Sequence, residues 1–180
     1  MPSVSYMAGV HWLEQLIQTA SADEVWQLLD AARDVNDSRD EWDTQISCLK
    51  KAAGRWASDN DKRQLLSLDG NLFFDHVHAN AAAYDYDVQK MRVLKKQLDQ
   101  FRHNHPEFTA QLSPFYAILL MDGDSLGMHM SDKGKQSSIS KSLEKFTTGV
   151  PALVEANNGY LIYAGGDDVL AMLPLEDAMR

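Results

Sequence analysis

Hydrophobic positions recur at two different periods along this chain, and the change falls near residue 110. Before it the spacing is that of helices. Ser21 and Glu24 form a capping box, and Val25, Leu28, Leu29 and Ala32 follow on one helical face. Asp40 opens a second predicted helix, with Trp42, Ile46, Leu49, Ala53 and Trp56 three or four residues apart. Leu65, Leu66, Leu68, Leu72, Phe73 and Phe74 surround Asp69-Gly70-Asn71, a segment read as irregular or a short hairpin. From about Asn80 to Arg102 a stripe of Tyr84, Val88, Met91, Leu94, Leu98 and Phe101 predicts the longest helix. Pro106 and Pro114 bracket a linker.

Beyond the linker the period shortens. Phe115 to Met121 is a continuous apolar run, the pattern of a buried strand, and Asp122-Gly123-Asp124 ends it. A loop of Ser, Lys and Gly leads to a helix near Gln136, whose buried face is Ile139, Leu143, Phe146, Val150 and Val154. Pro151 is expected to kink or restart it, and Asn157-Asn158-Gly159 to stop it. Tyr160–Ala164 and Val169–Leu173 read as two strands joined by a turn at Gly165-Gly166-Asp167-Asp168, of type I′ by composition. Pro174 starts a last helix. The fold class is therefore α+β: a helical region over 1–110 for linking and partner packing, then over 111–180 an incomplete ferredoxin-like βαββ unit. The expectation is that this unit is truncated at its C-terminus and that the chain is a fragment or half of a split protein.

Composition narrows the function class. Lys and Arg number 17 against 26 Asp and Glu, a net charge of -9, which argues against a broad nucleic-acid binder. The seven-residue run Phe115–Met121 is the longest apolar stretch, where a membrane span needs roughly 20. No basic, then apolar, leader opens the chain. Cys48 is the single cysteine, so no intrachain disulfide forms and no Cys-based zinc site can be built from it alone. A cytoplasmic protein is expected.

Two acidic clusters carry the candidate chemistry. Asp122 and Asp124 follow a strand, and Asp167 and Asp168 sit at a hairpin tip. In a βαββ unit both tips reach the same end of the sheet. Converging carboxylates repel one another unless a divalent cation intervenes, and all-oxygen donors suit Mg²⁺ or Mn²⁺. Gly165 and Gly166 lack a Cβ and would let backbone approach a triphosphate. Either cluster alone would pass as a solvated turn; the pairing of the two gives them weight. The histidine pairs His76/His78 and His103/His105 read as solvated, Lys90, Arg92, Lys95 and Lys96 as a solvated helix face, and Lys133, Lys135 and Lys141 as flexible loop lysines.

Phe115 to Asp124, together with Tyr163-Ala164-Gly165-Gly166-Asp167-Asp168-Val169-Leu170-Ala171, resembles the polymerase/cyclase-like palm of the large subunit of type III CRISPR effector complexes, nearest its Cmr (III-B) branch. Pro2-Ser3-Val4-Ser5-Tyr6-Met7-Ala8 with Trp12-Leu13, and Leu68-Asp69-Gly70-Asn71-Leu72-Phe73, are similar to the same branch. The resemblance implies an antiviral-defence nucleotidyltransferase that condenses ATP into cyclic oligoadenylates when the complex binds target RNA. It implies Asp122, Asp167 and Asp168 as catalytic and metal-binding, with the Gly123 carbonyl beside them. Asp124, Ser125, Gly165 and Gly166 would face the nucleotide. Mg²⁺ or Mn²⁺ is the implied cofactor; the implied partners are the other subunits and, through them, crRNA and target RNA, with no membrane.

The sequence departs from the family in having no His-Asp dipeptide, no Cys quartet and no second palm. Gln136 stands where family helices often place a His. The chain alone is therefore expected to be inactive. Two other readings stay open. A GGDEF-type nucleotide cyclase shares the βαββ palm, but Asp168 and Val169 replace its Glu-Phe and no Arg-x-x-Asp precedes Gly165. A non-catalytic scaffold of a ribonucleoprotein complex would use the helices only for packing.

Overall fold

In the computed structural model, which describes residues 2–36, 43–54, 59–124, 126–131 and 133–179, Ser3 opens α1 (Val4–Ala8) by accepting a hydrogen bond from the Tyr6 N–H. Gly9 both ends α1 and starts α2 (Val10–Thr19). Ser21 then caps α3 (Ala22–Val35) through the complete capping box with Glu24, as the sequence predicts. The helix predicted from Asp40 is shorter: α4 covers Ser47–Ala53, and residues 43–46 are not helical. The Thr44 hydroxyl accepts the Ile46 N–H at 3.3 Å, a local alternative to the helical bond. Gly54, at φ 78°, ends α4. Asp40, Trp42 and Trp56 lie outside the described residues.

After α5 (Asn60–Leu65) the chain makes a single 3₁₀ turn over Gly70–Phe73, so the segment around Asp69 is irregular rather than a hairpin. This turn locks onto α1. Ser3 Oγ donates to Asp69 Oδ1 at 3.2 Å, Ser5 Oγ to Asn71 Oδ1 at 2.5 Å, and the Tyr6 hydroxyl to the Leu66 carbonyl at 2.7 Å. A Cβ on Gly70 would strike the Tyr6 backbone, so only glycine allows the approach. The two N-terminal segments that carry the resemblance are thus one packed unit. Burial, and next to it the Asp69 carboxylate, push the Tyr86 phenol up to about 12.

Next come α6 (Asp75–Ala79), a 3₁₀ turn over Ala81–Tyr84, and α7 (Val88–Asn104). The stripe predicted from Asn80 begins eight residues late, because Asp85 is left-handed at φ 59° and Asp87 caps the helix through the Gln89 and Lys90 N–H groups. Met91, Leu94, Leu98 and Phe101 are buried, whereas Tyr84 and Val88 are exposed. Among the described residues the longest helix lies elsewhere, in the second unit. His78 is not solvated: its side chain is 1% exposed and its Nε2 meets the Leu72 carbonyl at 2.6 Å. Nor is His105, which bridges Glu24 and Glu107. Lys90 and Lys95 pair with Asp34 and Asp99 on an otherwise solvated face.

The chain divides into two units, Met1–Pro114 and Phe115–Arg180. The second runs β1 (Tyr116–Met121), α8 (Leu126–Met130), α9 (Gln136–Ala156), β2 (Tyr160–Gly165), β3 (Asp168–Pro174) and α10 (Leu175–Ala178). The short α8 was not expected. Helix α9, 21 residues long, continues through Pro151 without restarting. It stops where predicted, at Asn157, with Asn158 at φ 53° and the Gly159 N–H on the Val154 carbonyl.

The sheet order is β1-β3-β2, with β3 antiparallel to both neighbours. Strands β1 and β2 therefore point the same way, as a βαββ unit requires. Val150 and Val154 of α9 pack on Val169, Ala171 and Leu173, with Ala117, Leu161 and Ala164 around them. The other face carries Ile118 and Leu120, 61% and 74% exposed. Strand β1 is an edge strand rather than the buried strand its composition predicts: every residue from Ile118 to Met121 is exposed.

Candidate functional site

Parallel direction of β1 and β2 brings the end of both strands, and the start of β3, to one edge of the sheet. Met121 pairs with Val169 and Gly165 with Asp168, so Asp122 leaves β1 beside Asp168. The turn between β2 and β3 has positive φ only at Gly166, 63°, which is the type II′ pattern rather than type I′. Thr147 of α9 fixes it by donating its hydroxyl to the Gly166 carbonyl at 3.0 Å. The Tyr163 ring lies against Gly165, where a Cβ would collide with it.

Gly123 meets Asp167 closely. A Cβ on Gly123 would fall 2.5 Å from the Asp167 Cβ and from its Oδ2. The two acidic tips are thus in van der Waals contact through a residue that has no side chain.

Electrostatics records the crowding. The Asp168 carboxyl is held above the ordinary range, first by loss of solvation, then by the charges of Asp167 and Asp122 and a hydrogen bond shared with Asp122. Among the described residues no Lys or Arg forms an ion pair with Asp122, Asp167 or Asp168. An all-oxygen, uncompensated donor set of this kind fits a hard divalent cation. The three carboxylates do not close on a single point within 4.8 Å. That looseness suits Mg²⁺, which takes one or two carboxylates and completes its shell with water and phosphate oxygens.

The structure brings together Asp122, Gly123, Asp167 and Asp168, shaped by Gly165 and Gly166. Asp124 is exposed in the next turn and is not among the charges acting on Asp168. Ser125 lies outside the described residues. Gln136 turns back to the Met130 carbonyl at 2.8 Å, capping the loop rather than reaching the carboxylates. The sequence reading missed Thr147 and Tyr163. Thr147 stands one position past Phe146 on α9, and no local pattern marks it as a turn support.

Residues 115–180 match the family model described as Cas10/Cmr2, second palm domain. The chain is also similar to the CRISPR system Cmr subunit Cmr2 of Pyrococcus furiosus, 34% identical over 94 residues. That match covers 37% of this chain and 11% of the relative, so the chain corresponds to a small part of that protein's length. The matched span coincides with the unit that holds the sheet, the paired acidic tips and the Gly166 turn, so it is this unit, residues 115–180, that is similar to the Cas10/Cmr2 second palm domain.

Proposed function

We propose that residues 115–180 form the GGDD palm of a type III CRISPR large subunit that makes cyclic oligoadenylates from ATP by 3′–5′ nucleotidyl transfer on target-RNA binding. The observation that carries this is the convergence of Asp122, Asp167 and Asp168 at one sheet end, with Asp168 shifted by its neighbours' charge. Asp122, Asp167, Asp168 and the Gly123 carbonyl would hold Mg²⁺ or Mn²⁺. When bound, such cations lower the pKa of an attacking hydroxyl and neutralise charge on the phosphates.

The chain's own residues do the positioning. Gly166, with open space beside it, leaves room for a triphosphate against backbone, whereas the space beside Gly165 is taken by the Tyr163 ring, and Thr147 keeps the turn from drifting. Asp124 and Ser125 are the further residues that the resemblance implies for nucleotide contact. A 3′-oxygen bonds to the α-phosphorus of a second ATP, and the bond to pyrophosphate breaks. No side chain is cast as a general base. The setting is cytoplasmic, with crRNA and target RNA held by the other subunits.

The test is the assembled complex carrying Asp167→Ala and Asp168→Ala, supplied with target RNA and ATP. Loss of several kcal/mol of charge stabilisation lowers product by ~10³-fold. Unchanged output would leave the palm a scaffold. GTP in place of ATP yields no product; a GTP-derived cyclic dinucleotide would favour the GGDEF reading. The purified 180-residue chain turns over no ATP by itself, since one palm presents only one nucleotide.

A further inference from the structure

Within the N-terminal unit α2 packs against α4, and three unlike donors meet where they touch. His11 and Glu14 are three residues apart on α2, so they share a face, with His11 Nδ1 3.3 Å from Glu14 Oε2. Cys48 stands in the first turn of α4 and is 8% exposed. One donor atom from each residue, a ring nitrogen, a carboxylate oxygen and Sγ, lies within 4.8 Å of the other two. Among the described residues no other trio of His, Cys, Asp and Glu donors is this close.

The geometry points to a site for one divalent transition metal, of the Zn²⁺ class, held by His11, Glu14 and Cys48. Tetrahedral zinc with bonds of about 2.0–2.3 Å places its ligand atoms roughly 3.3–3.8 Å apart. The donor atoms, all within 4.8 Å of one another, would draw together to those separations on binding. The donor chemistry selects the metal. Mg²⁺ and Ca²⁺ take oxygen, whereas a mixed sulfur, nitrogen and oxygen set suits Zn²⁺ or Co²⁺. The packing also suits it: Cys48 closes the inner side, while His11 and Glu14, at 31% and 27% side-chain exposure, leave the ion a path from solvent. Three protein ligands leave a fourth position for water. Binding takes a neutral imidazole and releases the thiol proton, so affinity rises with pH. Because α2 and α4 are far apart in sequence, the ion would tie together two helices that pack against each other.

The site owes nothing to the reading of the palm, and its test reads sulfur. Co²⁺ is titrated into the reduced, metal-stripped 180-residue chain. A thiolate-to-cobalt charge-transfer band rises to one equivalent and is displaced by Zn²⁺ but not by Mg²⁺. Palm carboxylates add no such band. Cys48→Ser abolishes it. His11→Ala and Glu14→Gln each weaken Co²⁺ binding by more than the roughly 10–100-fold that loss of an outer-shell partner costs. Circular dichroism checks each variant. Should one misfold, X-ray absorption on the zinc-loaded wild type decides, with one sulfur among nitrogen and oxygen neighbours expected. No charge-transfer band, a band untouched by both His11→Ala and Glu14→Gln, or a zinc shell without sulfur overturns the proposal.

Discussion

The helical unit and the palm unit spend their apolar residues differently. The first closes its core: Tyr6, Met7, Leu13, Leu16, Ile17, Leu49 and Phe73 are wholly buried, and Trp12 sits between Phe73 and Phe108 with centroids 5.6 and 5.7 Å away. The second buries one sheet face under α9 and leaves Ile118, Leu120, Met128 and Leu153 exposed. Yet it is the palm unit that brings Asp122, Asp167 and Asp168 together at one edge of its sheet. The charge-crowded, less covered half carries the candidate chemistry.

Truncating apolar side chains tests that contrast most severely. Phe73→Ala costs about 3–5 kcal/mol by chemical denaturation, through lost burial and the cavity left behind. Leu120→Ala, the same kind of change on the open palm face, stays within about 0.5 kcal/mol. Equal losses would erase the distinction. Glycine contacts sharpen it next. Gly70→Ala forces the α1 backbone away from the 3₁₀ turn and costs about 1–3 kcal/mol. Gly123→Ala displaces Asp167 instead, and shows itself as weaker Mn²⁺ binding to the palm in a calorimetric titration.

Single hydrogen bonds give smaller effects of similar size in both halves. Ser21→Ala removes the cap of α3 and costs about 1 kcal/mol. Thr147→Val removes the support of the Gly166 turn for about the same, and additionally lowers product formation in the assembled complex.

Acid separates the halves by sign. Partial burial pushes the Glu24 carboxyl up, but hydrogen bonds from Ser21, His105 and Asn104 outweigh it and hold it at about 2. Its contribution is present above the ordinary value of 4.5 and lost as pH falls through about 2. The hydrogen bond His105 donates to Glu24, then that to Glu107, holds it above its ordinary 6.5, so its share is lost as pH rises through that higher value. The link between the start of α3 and the end of α7 is therefore firmest between these limits. Asp168 runs the other way. Its raised carboxyl binds a proton more tightly when folded, so its contribution is present at low pH and lost as pH rises. Thermal melts of Glu24→Gln and Asp168→Asn across this range, each against wild type, show opposite pH slopes.

What was legible in the sequence was local or paired. The Ser21–Glu24 box, the start of α9 at Gln136 and the hairpin around Gly166 each depend on a few adjacent residues. The meeting of Asp122 with Asp168 followed from strand order, which βαββ topology dictates. What failed depended on distant partners or on competing local bonds. Thr44 intercepts the Ile46 N–H and delays α4, and Asp85 breaks the stripe before α7. The run Phe115–Met121 has the composition of a strand covered twice, but composition does not say what covers it. Histidine 78 looked solvated beside polar neighbours because its partner, the Leu72 carbonyl, comes from the preceding turn. His11 and Glu14 showed helical spacing, but nothing in the sequence tied them to Cys48.

The edge position of β1 has a consequence for handling the protein. In the order β1-β3-β2 its outer row of peptide groups has no strand beside it among the described residues, and Tyr116–Met121 contains no charge, proline or glycine to discourage one. Such a segment is a template for the same segment of another molecule. Crowding, warming or partial unfolding of the palm therefore favours intermolecular β-structure seeded at this one strand, and the usable concentration of the chain is governed by it rather than by the well-filled helical core.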